Sequence, residues 1–169
     1  VAEPIVSDAL HRGKIEIIFA GHDGSIRLLA PDGTTLWQTD LGSPIFGTPA
    51  ILPARDAEPP LVICATSRGR LVALVPDGTI GWNLELNSSV QNPPTLFDVD
   101  GDGMEEIIVG AGRAQRTYIV KRDGRLLGFL PYAAIWSHVV AGYSTVEGKP
   151  TLVVGCFDEH VVALDPGLV

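Results

Sequence analysis

The chain has 169 residues, 46% of them hydrophobic and 19% charged, which is enough apolar side chain for a core and too much for a disordered segment. Gly 19 and Pro 13 together fill about a fifth of the positions, and because both break helices they exclude a fold of long ones. The formal charge of -8 speaks against a nucleic-acid partner, which needs clustered Lys and Arg. No apolar run reaches the roughly 18 residues that span a bilayer. The chain opens on Val1, without the basic and apolar regions of a secretory signal, as expected of a processed product or an excised piece.

From the N-terminus, short strand-like runs alternate with turn residues, and the pattern repeats. The first repeat predicts strands at Pro4 to Val6, Ile15 to Ala20, Ser25 to Ala30 and Thr35 to Thr39. The second predicts them at Pro49 to Ile51, Leu61 to Ala65, Arg70 to Val75 and Ile80 to Leu84. The third predicts Pro94 to Leu96, Glu106 to Gly110, Thr117 to Lys121 and Leu126 to Leu130; the fourth predicts His138 to Val140, Thr151 to Gly155 and His160 to Leu164, with no fourth strand.

Asp32-Gly33, Asp77-Gly78 and Asp123-Gly124 join third strands to fourth, 45 and 46 residues apart, and Asp165-Pro166-Gly167 is a degenerate version. Asp-Gly is a hairpin signal because Gly accepts the positive φ of a tight turn. Self-similarity near this period is the signature of propeller blades, each a four-stranded meander. The predicted fold is therefore all-β: a β-propeller of about four antiparallel blades, over residues 4–47, 48–92, 93–137 and 138–169, the last incomplete. Leu71 to Val75 and Ile107 to Val109 are apolar on both faces, as strands covered on both sides must be. Trp37 and Trp82 each stand five residues after the turn Asp, where the third repeat has Gly128. Recurrence at the repeat period marks them as blade-to-blade packing residues.

The segments Ser25 to Trp37 and Leu71 to Trp82 resemble the blade consensus of pyrroloquinoline-quinone-type propellers, and Phe97 to Gly110 is similar to the FG-GAP repeats of integrin-like propellers. The resemblance implies a ring of seven or eight blades, of which this chain would be about half. Quinone enzymes of that family hold their cofactor with residues from a whole ring and an adjacent Cys-Cys pair. Cys64 and Cys156 are not adjacent, so no quinone is expected.

One stretch carries explicit chemistry. Asp98, Asp100 and Asp102 alternate and Glu106 stands at position nine, so carboxylates at positions one, three, five and nine, with the Met104 carbonyl at seven, supply most of the oxygens a calcium ion wants. Position twelve is Val109, and both flanks read as strands, which sets the loop apart from an EF-hand and likens it to the FG-GAP calcium site. The alternative is a metal-free acidic turn, since Asp and Gly favour turns. An occupied site would be structural, and calcium favours an extracellular or periplasmic setting.

In a meander, the connections between second and third strands share a rim with those leading to the next blade. That rim collects His22, Asp23, Arg68, Arg113, Arg116, Asp158 and His160, with Phe46, Gln91 and Trp136 nearer the axis. Loops on a rigid scaffold are where recognition resides, so the expected ligand there is a protein or a glycan. His138, beside Val139, reads as a packing histidine. No nucleophile elbow, HExxH or phosphate loop is present. The expected function is a non-enzymatic binding or scaffolding module, with missing blades or a second copy completing the ring. The alternatives are part of a calcium-dependent propeller enzyme acting on polysaccharide, and a self-assembling half-propeller of purely structural role.

Overall fold

Gly, Pro and Asp interrupt every apolar run, so the strands are short and each turn folds the chain back on the strand before it. The computed structural model describes residues 2–8, 13–131, 138–144, 148–155 and 160–166, and it is an all-β propeller segment. Sheet 1 contains β1 (Ile5–Ser7), β2 (Glu16–Ala20), β3 (Ser25–Leu29) and β4 (Thr35–Asp40). Sheet 2 contains β5 (Ala50–Leu52), β6 (Leu61–Ala65), β7 (Arg70–Leu74) and β8 (Ile80–Glu85). Sheet 3 contains β9 (Thr95–Phe97), β10 (Glu106–Ala111), β11 (Arg116–Val120) and β12 (Leu126–Leu130). Sheet 4 contains β13 (Val140–Tyr143), β14 (Pro150–Gly155) and β15 (Val161–Leu164). Every pairing is antiparallel between consecutive strands, the meander expected of a blade.

The registers make sheets 1 and 2 superposable. Ile17 faces Leu29 across β2 and β3 as Val62 faces Leu74 across β6 and β7. A bulge interrupts the pairing of third and fourth strands at the same place in sheets 1, 2 and 3, beside the Asp-Gly turn.

Alternation along each strand sends one set of side chains toward the preceding sheet and one toward the next. Between sheets 1 and 2, Ile18, Ala20, Ile26 and Leu28 meet Val62, Cys64, Val72 and Leu74. Ile63, Ala65, Leu71 and Ala73 meet Ile107, Val109, Tyr118 and Val120 between sheets 2 and 3. Ile108 and Ile119 meet Leu152 and Val154 between sheets 3 and 4. The thiol of Cys64 is fully buried in the first of these layers, and burial pushes its pKa up. Cys156 lies outside the described residues.

Tryptophans lock neighbouring sheets together. The Trp37 indole N–H donates to the Pro76 carbonyl at 3.0 Å and the Thr39 hydroxyl to Gly78 at 2.6 Å; the Trp82 indole N–H donates to the Arg122 carbonyl at 2.8 Å. Each ring lies against the next sheet's turn glycine, so closely that a Cβ on Gly78 or Gly124 would come within 2.6 or 2.7 Å of it. Sheet 3 has Gly128 in place of tryptophan and meets sheet 4 differently. There the Thr95 hydroxyl donates to Val139 at 2.6 Å, and the rings of Phe97 and Tyr143 lie 5.1 Å apart. His138 corrects the sequence reading: it is exposed, because β13 begins two residues later at Val140 and leaves it outside the ladder.

Candidate functional site

The acidic loop connects β9 to β10. Asp98 folds it, its two carboxylate oxygens accepting the N–H groups of Gly101 at 2.7 Å and Gly103 at 2.9 Å. Asp100 accepts from Asp102 N–H at 3.2 Å, and Asp102 from Met104 N–H at 2.7 Å. Glu106, fully buried at the start of β10, accepts the Val99 N–H at 2.9 Å. Ligand oxygens of Asp98, Asp100 and Glu106 lie within 4.8 Å of one another. The exposed Met104 lies on the same loop.

A cation of the chain's own stands among these carboxylates. Lys121 follows β11, and its Nζ lies 2.6 Å from Asp100, 2.9 Å from Asp102 and 2.9 Å from Glu106, with its side chain only 12% exposed. Burial disfavours the ammonium, but the bonds from Asp100, Glu106 and Asp102 outweigh it and hold the Lys121 pKa above its ordinary value. The Lys121 hydrogen bond, with help from the Met104 N–H, holds Asp102 below the usual carboxylate range. Burial pushes Glu106 up, against the pull of Lys121. A calcium ion fits the donor chemistry of Asp98, Asp100 and Glu106, but near Asp100 and Glu106 it would contest space with the ammonium.

Sequence reading missed Lys121 as a site residue, because it lies 15 residues beyond Glu106, just past the end of the next strand, β11, where only the fold reveals proximity. A signal did exist. The turn N–H of Lys121 bonds Arg125 as those of Ala30 and Val75 bond Thr34 and Thr79; only the repeat with the acidic loop has a cation at this position.

The same rim holds a set of cross-sheet clamps. Arg55 donates to the Gly103 carbonyl. Arg122 donates to the carbonyls of Pro53 and Pro59, and pairs with Glu58. A cavity of about 670 Å³ opens here, lined by Trp82, Leu61, Leu127, Lys121, Arg122 and Asp102 among others.

The opposite rim brings some of the sequence-selected residues together and leaves others apart. His22 and Phe46 form an edge-to-face pair with centroids 4.7 Å apart. Asp23 is tied down, accepting from Arg27 at 2.7 Å and from Ser25, bonds that hold its pKa below the usual range. Arg116 lies over the Phe129 ring at 4.1 Å, on its own sheet. Arg68, Gln91, Arg113 and His160 are exposed. Trp136 and Asp158 lie outside the described residues. Neighbouring loops are stitched by Ser67 N–H to Pro44 at 2.8 Å, Ser43 to Ser67 at 3.1 Å, and Ala114 N–H to Ser88 at 2.8 Å.

Among protein families, residues 22–167 match the one described as outer membrane protein assembly factor BamB. The chain belongs to that family. No curated protein matches it. Among solved structures, BamB from Moraxella catarrhalis aligns with 97% of this chain and 45% of its own, at 18% identity and a TM-score of 0.67. BBS1N, solved in complex with ARL6DN, aligns with 98% of this chain and 48% of its own, at 17% identity and a TM-score of 0.72. At such identities the likeness shows the fold, a β-propeller, and the chain spans about half the length of these relatives. Among the described residues, no helix is long and apolar enough to cross a membrane.

Proposed function

We propose that the chain is a non-enzymatic binding or scaffolding part of a larger propeller, holding a protein partner on its loop rim. One observation carries the larger-propeller part of this reading: among the described residues, the sheet stack ends in two faces without a neighbouring sheet, both apolar apart from Arg27, which is paired with Asp23. At one end Val6 is 61% exposed and Ile17, Phe19 and Leu29 are partly so; at the other, Val140 and Val161 are 61% and 75% exposed. Apolar strand faces of this size call for a cover. The matched family is described as an assembly factor and BBS1N was solved in complex with ARL6DN, which supports recognition of protein rather than glycan. The His22 and Phe46 pair on the stitched rim is the natural anchor, a rigid aromatic patch on fixed loops.

The two free faces differ, so a second copy could also join head to tail. Light scattering on the chain, with an apolar dye as a second readout, tests the covered-face reading. Self-association or strong dye binding is expected, and a stable monomer that binds no dye overturns it. Cleavage of any polysaccharide in a calcium-supplemented panel would overturn the non-enzymatic part.

The acidic loop serves this module as a staple, and its cation is exchangeable in principle. Lys121 neutralises it without metal, so calcium binding would be weak and would strengthen once the ammonium is removed. Calorimetric titration of the chain and of Lys121→Met with calcium tests this; equal affinities would refute the competition.

A further inference from the structure

One position breaks the repeat where sheets 2 and 3 meet. The bulge between third and fourth strands leaves one extra residue in each of sheets 1, 2 and 3, and these residues are Leu36, Gly81 and Leu127. Gly81 does not have the left-handed φ that would require glycine. Apart from its chain neighbours, a Cβ built on it would meet only the Val75 side chain at 3.4 Å and the Ala73 carbonyl at 3.7 Å. The backbone therefore accepts the leucine of the two sister sheets, and glycine inside a strand without such a need marks a close approach to the backbone. Gly81 lies in the wall of the cavity of about 670 Å³, with Trp82, Leu61 and Val75. Small-molecule sites have such a form: about 300–1,000 Å³, a mostly apolar wall and a few placed polar groups.

The charges around this cavity choose the sign of its ligand. Lys121 and Arg122 are mostly buried and spend their hydrogen bonds on the chain's own oxygens. The exposed charges are the carboxylates of Glu58, Asp100, Asp102 and Asp123, against the guanidinium of Arg125. Among the described residues, each oxygen of Asp100 and Asp102 accepts one bond, which leaves each a second lone pair for a donor. The Trp82 N–H is given to the Arg122 carbonyl, so what the indole offers a ligand is its ring, whose face attracts cations. We infer that this cavity binds a small organic cation with a flat apolar body, the body on Trp82 beside Gly81 and the ammonium at Asp100 and Asp102. An anion would meet four carboxylates, and a neutral apolar molecule would cover them without supplying a donor. The site is built from sheets 2 and 3 and their loops alone, so it goes beyond the larger-propeller reading and does not depend on it.

Phenethylamine is the probe, with phenethyl alcohol and phenylpropionate as the neutral and anionic molecules of the same body. Titrations of the chain in calcium-free buffer are followed at the Trp82 indole N–H resonance, assigned with Trp82→Phe. The amine is expected to move it saturably and to bind roughly tenfold more tightly than the alcohol, as charge-assisted hydrogen bonds allow, while the propionate gives no saturable shift. Gly81→Leu gives sheet 2 the residue of its neighbours. It should unfold at or above the midpoint of the parent chain and lose amine binding by roughly tenfold. Asp102→Asn keeps an oxygen for the Met104 N–H and removes the charge, so it should cut the amine's advantage over the alcohol severalfold; it carries the test should Gly81→Leu fail to fold. Propionate binding as tight as that of the amine, an amine shift untouched by both variants, or no saturable shift with any probe overturns the proposal. A capped Gly-Arg-Gly peptide that binds far more tightly than the amine overturns the small-molecule assignment in favour of a partner's basic side chain. The scattering and dye measurements above bear on the larger propeller whichever way this titration falls.

Discussion

Sheets 1 and 2 are nearly the same object in two environments. Leu29 and Leu74 occupy equivalent register positions, opposite Ile17 and Val62, yet Leu74 is fully buried while Leu29 is only partly so. The strands of sheet 2 are apolar on both faces, and sheet 1 follows them at Ile17, Phe19 and Leu29 but carries Arg27 where sheet 2 has Val72. What differs is a neighbour: sheet 2 lies between two sheets, and sheet 1 has one. Burial in a repeat protein is thus a property of the array as much as of the sequence, since each unit covers only its neighbours.

The matched leucines give the largest test. Leu74→Ala removes a fully packed side chain and should cost about 3 kcal/mol, within the usual span for Leu→Ala in cores; Leu29→Ala should cost about 1 kcal/mol or less. Urea denaturation of both variants checks this, and equal losses would mean that the sheet 1 face is covered in solution.

Next in size is Lys121→Met, which leaves the buried Glu106 carboxylate without its ammonium. Breaking a fully buried pair costs roughly 3–5 kcal/mol; here Asp100 and Asp102 are each 37% exposed, so about 2 kcal/mol is expected after solvent screening. The effect depends on pH. Asp102 has a depressed folded pKa, so its contribution is fully present above its unfolded value near ~4 and is lost as pH falls through the folded value. Acidification also relieves Glu106, whose raised pKa lets it protonate earlier. The gap between wild type and variant should therefore narrow below about pH 5, which thermal melts across pH would show; a constant gap would deny that these carboxylates are Lys121's partners.

The smallest effect compares two glycines. Gly33→Ala and Gly78→Ala incur the same positive-φ strain, about 1 kcal/mol, but only the second pushes on a tryptophan ring. Gly78→Ala should cost about 1–2 kcal/mol more, read as the difference in denaturation midpoints.

Much of this architecture is legible in the chain. The period of the Asp-Gly pairs marks the blades, and the doubly apolar strands announce sheets stacked on both sides, because both signals are local in sequence. The acidic loop is legible for the same reason: its donors lie within nine consecutive positions. Its counter-charge is not, since Lys121 reaches Asp100 across 21 residues. Nor are the clamps of Arg122, which span 63 and 69 residues and depend on how one blade is set against the next. The tryptophans show both sides of this: their recurrence reveals a packing role, while the carbonyl each one seeks becomes visible only when two blades are in contact.

The thiol of Cys64 turns this layering into a clock. It sits on the face of sheet 2 that sheet 1 covers, and burial keeps it protonated, so alkylating reagents reach it only when those two sheets part. Its labelling rate therefore times the opening of a single seam between blades, and separates loss of one terminal unit from collapse of the whole stack.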